Sequence, residues 1–172
     1  MKLLDIVESY NTKLELNWLH QGHSLITHFD IQNEHYGIQI DQMSLTIPRR
    51  AEWTVYEVSF KRILDQISTV AQTNSRVPSK VFGIVYNGVL GIILKDKPEC
   101  VIFSAKFMND DGDQDAFNKR VQLYQSIVNR ITTFGVYVDV GLIKSQHAHN
   151  FVLVRADLKI TQEEINWIKS NC

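Results

Sequence analysis

The chain has 172 residues, 44% of them hydrophobic and 22% charged, with a formal net charge of -1. That composition suits one folded domain with a real core, and the chain need not be disordered. The near-neutral balance gives no global attraction to nucleic acid or to an anionic membrane surface.

The opening "MKLLDIVESY" places Leu3, Leu4, Ile6, Val7 and Tyr10 at helical spacing. Asp5 and Glu8 interrupt its apolar pattern, so it does not read as a signal peptide. From Lys13 to Ile47, apolar and polar residues alternate, punctuated by Gly22, Asn33-Glu34 and Gly37. This predicts an antiparallel meander with one face buried. "EWTVYEVSFKRI" is the cleanest strand, rich in β-branched and aromatic residues. The stretch 66–79, "QISTVAQTNSRVPS", reads as a loop.

Pro78 then opens a helix, a position where its missing N–H costs little. Val81, Phe82, Val85, Val89, Ile92 and Ile93 form its apolar face, and Pro98 stops it. Gly83, Gly88 and Gly91 each weaken it by up to about 1 kcal/mol relative to Ala, which suggests a sheet packed close against them. The same apolar run, Val81 to Leu94, is too short and too polar to span a bilayer, so a soluble protein is expected.

"CVIFSAKF" reads as a central strand buried on both faces, and "NDDGDQD" as an acidic turn. Phe117, Val121, Tyr124, Ile127, Val128 and Ile131 mark one face of the next helix. "GVYVDVGLI" and "NFVLVRADL" are two more strands, joined around "KSQHAHN". In "TQEEINWIKS", Thr161 and Glu164 form a capping box that starts a last helix. The order is helix, about four strands, helix, strand, helix, two strands, helix. The expected class is α/β (α+β), one domain with a mixed, mostly antiparallel sheet flanked by helices.

Residues Trp53 to Arg155 resemble the GNAT N-acetyltransferase superfamily. "TVYEVSF" matches the family's central strand, "PSKVFGIVYNGVLGII" the helix after it, and "ECVIFSAKF" the next strand. Asn118, Leu123 and Tyr124 match an "N…LY" helix segment, with Phe134-Gly135 near the family's "GF". The resemblance divides the chain into a helix and meander (1–50), a GNAT-like core (51–160) and a last helix (161–172). It implies acetyl-CoA as cofactor, held by the turn containing Asn74, Ser75, Arg76 and Ser79. It implies Tyr124 as the acid that protonates the departing thiolate, and Glu57 as the base that deprotonates the amine.

The turn departs from the family pattern. Small residues there let backbone N–H groups approach a pyrophosphate at the helix N-terminus. No glycine lies between Phe60 and Phe82, and Pro78 removes one N–H. Tyr124 also sits in the middle of an apolar face, where a core aromatic is expected.

Trp53 to Phe60, Lys80 to Val85, Ile102 to Lys106 and Arg120 to Tyr124 further resemble small tailed-bacteriophage proteins that look like GNAT domains without the CoA turn. That implies a non-catalytic protein acting through protein–protein contacts. It would be a virion or structural component with other virion proteins or itself as partner, in the host cytoplasm or the particle. The alternatives are an acetyl-CoA-dependent N-acetyltransferase with an atypical pyrophosphate loop, and a phage inhibitor of a host protein. Trp18, Phe29 and Tyr36 are candidate contact aromatics, with the core as their ordinary destination.

Other constellations are weak. Cys100 and Cys172 allow no disulfide framework; Cys100 reads as a buried thiol. His147 and His149 project to one side of an extended segment, but two ligands do not make a zinc site. The acidic turn fails the EF-hand spacing, because no start residue puts Gly sixth and Glu twelfth. The pairs Arg49-Arg50 and Lys61-Arg62 are too small for a nucleic-acid surface on a neutral chain.

Overall fold

The computed structural model describes residues 15–31, 33–63, 77–106, 114–145 and 148–171. The helix expected at residues 3–10, the acidic turn before Gln114 and Cys172 lie outside them. Seven strands form one sheet in the order β1-β2-β3-β4-β5-β7-β6. They are β1 (Leu19–Gln21), β2 (Ser24–Ile31), β3 (Glu34–Leu45), β4 (Trp53–Ile63), β5 (Cys100–Lys106), β6 (Tyr137–Lys144) and β7 (Ala148–Arg155). The helices are α1 (Val77–Asp96), α2 (Gln114–Thr132) and α3 (Gln162–Asn171). Among the described residues this is a single α+β domain with a mixed, mostly antiparallel sheet and three helices.

The meander forms as its alternation predicts. Gly22, at φ +61°, makes the tight turn between β1 and β2, a conformation glycine adopts without strain. Gly37 differs from its expected role: it lies inside β3, paired with His28 and Lys61, and does not end a strand. β3 and β4 pair over eleven residues, from His35↔Ile63 to Leu45↔Trp53. β4 and β5 are parallel neighbours, so the chain needs a crossover between them, and α1 provides it.

Period-two alternation splits the sheet into two faces. Ile38, Ile40, Tyr56, Val58, Val101, Phe103, Phe151 and Leu153 share one core with α1 and α2. Trp53, Val55, Ile102, Val152 and Val154 point the other way, against Ile168 of α3. β5 is buried on both faces from Cys100 to Ala105, as its unbroken apolar run implies. Phe29 and Tyr36 are core residues, stacked at 5.5 Å, and Trp18 packs half-buried at the core's edge.

Two polar networks tie the ends of the elements together. Arg50 binds both carboxylate oxygens of Glu164 and donates to the Leu158 carbonyl at 3.0 Å. Glu164 also closes the expected capping box: it accepts from the Thr161 N–H at 2.7 Å, while its own N–H reaches Thr161 Oγ1 at 3.3 Å. At the other network, Glu99 accepts from the Thr54 N–H at 2.9 Å and from Arg155, which also holds Asp157.

The helix glycines differ from one another. A Cβ on Gly88 would fall 2.4 Å from Leu16 Cδ1, so the segment before β1, rather than the sheet, lies close against this glycine. A Cβ on Gly91 would meet nothing within 4 Å. Gly91→Ala is therefore expected to raise unfolding free energy by about 0.5–1 kcal/mol in urea titration. Gly88→Ala is expected to gain less than Gly91→Ala, because the end of the Leu16 side chain must turn aside.

The Arg50 guanidinium holds the Glu164 carboxyl down at about 2, from an ordinary 4.5, with the Thr161 N–H assisting. A depressed carboxylate contributes stability above its unfolded pKa and loses it as pH falls through the folded one. The midpoint of urea unfolding should therefore drop between about pH 4.5 and about pH 2. In Arg50→Ala the drop in that window should be shallower.

Candidate functional site

The two parallel strands at the sheet's centre do not stay together. β4 and β5 pair only from Val55↔Cys100 to Val58↔Phe103. Beyond that, β4 runs on to Ile63 against β3, and β5 to Lys106 against β7. A wedge therefore opens between their C-terminal ends, the end at which ligands bind in open α/β sheets. The exposed backbone of such a wedge needs partners.

Tyr124 of α2 supplies one. Its phenolic oxygen accepts the Phe60 N–H at 2.6 Å, and its ring packs 5.7 Å from that of Phe103. The residue is 0% exposed. Burial pushes the phenol far above its ordinary pKa, against the smaller pull of the Phe60 N–H and the Arg120 charge. Tyr124 thus caps a β4 amide from within the core, and it has no surface from which to reach a solvent-borne thiolate.

Glu57 lies on the opposite face of the sheet, two residues beyond Val55. Its carboxylate pairs with Lys106 Nζ at 2.8 Å, across the strand pair. Its register partner on β3 is Asp41, whose carboxylate accepts from Gln39 Nε2 at 2.9 Å. Two like charges directly opposite on neighbouring strands oppose pairing, and Lys106 offsets this. The acid and base expected from the sequence are therefore separated by the sheet, one in the core and one in a surface ion pair.

Of the residues expected to hold a cofactor, Asn74, Ser75 and Arg76 lie outside the described residues. Ser79 falls in the first turn of α1, and its side chain is outside the description. Sequence reading missed the Phe60 N–H, Asp41 and Lys106. The β3–β4 register brings Asp41 opposite Glu57, while Lys106 reaches Glu57 from four residues beyond Ile102, the register partner of Glu57; period-two alternation was the available signal.

The histidine pair separates too. His147 is outside the described residues, while the His149 ring meets the edge of Phe117 at 5.0 Å. Burial lowers the His149 pKa, with the Lys144 charge adding to the effect. No group of three or more His, Cys, Asp or Glu among the described residues is placed to hold a metal ion. Likewise, no described helix is long and apolar enough to cross a membrane. No protein-family model matches the sequence, and no curated protein or solved structure does so either.

Tyr124→Phe removes the hydroxyl that accepts the Phe60 N–H while keeping the ring. Leaving a buried donor unsatisfied costs about 1–3 kcal/mol. Chemical unfolding should show a loss of that size, with little change in the denaturant slope.

Proposed function

We propose that this is a non-catalytic protein with a GNAT-like fold, working through protein–protein contacts as a phage-encoded virion or structural component. The observation that carries the non-catalytic part is the buried Tyr124 hydroxyl, hydrogen-bonded to Phe60 N–H in the wedge between β4 and β5. A thioester drawn into that wedge would have to displace the phenol and break this bond. The element order from β4 onward agrees with the GNAT resemblance: strand, helix, strand, helix, hairpin. The absence of glycine in the segment before α1 agrees with the loss of the pyrophosphate cradle.

Support for the contact role comes from the surface. Leu19 is 58%, Phe134 54% and Val138 43% exposed, and β1 and β6 are the two edges of the sheet. The phage assignment rests on the sequence resemblance at Trp53–Phe60, Ile102–Lys106 and Arg120–Tyr124.

Titration with acetyl-CoA, by calorimetry and thermal melting in parallel, tests the catalytic alternative. A ligand at 100 times its dissociation constant adds about 2.7 kcal/mol of stability. The expected result is no heat and no melting shift. Micromolar binding that disappears in Ser79→Glu would replace this proposal with an N-acetyltransferase. The virion role is tested separately, by mass spectrometry of purified particles of the encoding phage. The chain should be present at a fixed copy number per particle, and its absence would end the structural assignment.

A further inference from the structure

A pocket of about 310 Å³ lies far from the wedge, at the other end of β4. It sits between the β1–β2 hairpin and the C-terminal end of α1. Leu25, Ile40 and the Tyr56 ring form its apolar side, and His20, His23 and Asp96 its polar side. The volume is at the lower end of the range for small-ligand sites.

The polar groups are arranged unevenly. Tyr56 donates its hydroxyl to Asp96 Oδ2 at 2.8 Å. Burial, and then this bond to the carboxylate, push the phenol up to about 12, so it stays a neutral donor. Asp96 makes no ion pair among the described residues, although Lys95 and Lys97 flank it in sequence. The imidazole rings of His20 and His23, both exposed, make no hydrogen bond to another side chain among the described residues. Asp96 is also the last residue of α1, where the helix dipole is negative. The site therefore holds an uncompensated carboxylate, a negative helix end, two imidazoles and an aromatic ring. The carboxylate, the helix end and the ring face favour a cation, and each imidazole has a lone pair to offer it.

We infer that this pocket binds a protonated primary amine carried on a short apolar stem, the ammonium at Asp96 and the stem against Leu25, Ile40 and Tyr56. A lysine side chain of a protein partner and a free alkylamine share that chemistry. The inference stands apart from the proposed function, because the pocket shares no residue with the wedge.

Amide chemical shifts of the isotope-labelled full chain provide the test, with n-butylammonium as the probe. Shifts should be confined to Gln21–Leu25, Tyr56 and Asp96, with a dissociation constant of about 1 mM, as suits a ligand of few atoms. n-Butanol and butyrate supply the stem without the charge or with the opposite one, and should leave the spectrum unchanged. Asp96→Asn should weaken n-butylammonium binding about tenfold, the loss of about 1.4 kcal/mol. Tyr56→Phe keeps the carboxylate and frees it of its competing donor, so it should bind the amine at least as well as the unaltered chain. This second variant separates a lost charge from a collapsed pocket. A capped Gly-Lys-Gly peptide distinguishes the sources: tighter binding than n-butylammonium points to a partner's lysine, equal binding to a free amine. Equal shifts with n-butanol, unchanged affinity in Asp96→Asn, or equal losses in both variants would overturn the inference. So would an unshifted spectrum at saturating n-butylammonium.

Discussion

The hydrogen bond from the Phe60 N–H to the Tyr124 hydroxyl holds together the one place where the sheet comes apart. β4 is committed to β3 along its whole length, and β5 to β7. The two share only four register pairs. Strand twist accumulates across a wide sheet, so a parallel pair with long partners on either side diverges once its own bonds end. Something must then satisfy the β4 edge. An aromatic residue with a polar tip does this in one step, because its ring fills the wedge while its oxygen takes the amide. α2 is consequently anchored to β4 as well as to β5, and the mixed sheet behaves as one layer.

The rest of the polar architecture follows the same economy at other junctions. Glu99, just before β5, holds both the Thr54 N–H at the start of β4 and Arg155 at the end of β7. It joins three strands where their pairing begins. Arg50, in the connection from β3 to β4, reaches 114 residues along the chain to Glu164. α3 is short, with one buried residue, Ile168; a helix of that length is marginal alone. The fork of Arg50 on Glu164, added to the capping box, fixes its first turn against the sheet. Bidentate pairing also sets the helix's orientation, which a single apolar contact would leave loose.

The sheet edges are treated differently. β1 is only three residues long, which limits what can pair with it. β6 is longer, but it carries a bulge between Asp139 and Gly141. There the Asp139 carboxylate accepts the Gly141 N–H at 2.8 Å, and the Lys169 side chain lies beside Gly141. A bulge with its own amide capped does not template a new strand. Both edges of the sheet are thus poorly suited to sheet extension.

Much of the fold was legible in the sequence, because it depends on patterns the backbone imposes locally. Alternation marked the meander, the β5 run marked a strand buried on both faces, and Thr161 with Glu164 marked a helix start. Gly37 misled, since a glycine inside a long strand looks the same in sequence as one in a turn. Gly88 and Gly91 also look alike, yet only Gly88 has a neighbour within 4 Å of where a Cβ would be. The site was less legible. Tyr124 and Glu57 were both visible as candidates, but whether they face each other depends on strand parity and on where α2 docks. Asp96 drew no attention, because the hairpin that faces it is more than seventy residues earlier in the chain. Local pattern thus determined which segments are helices and strands and which side of each is apolar. The tertiary structure alone decided the strand order, the point at which β4 leaves β5, and which polar groups meet, because those depend on long-range register that no short stretch of sequence contains.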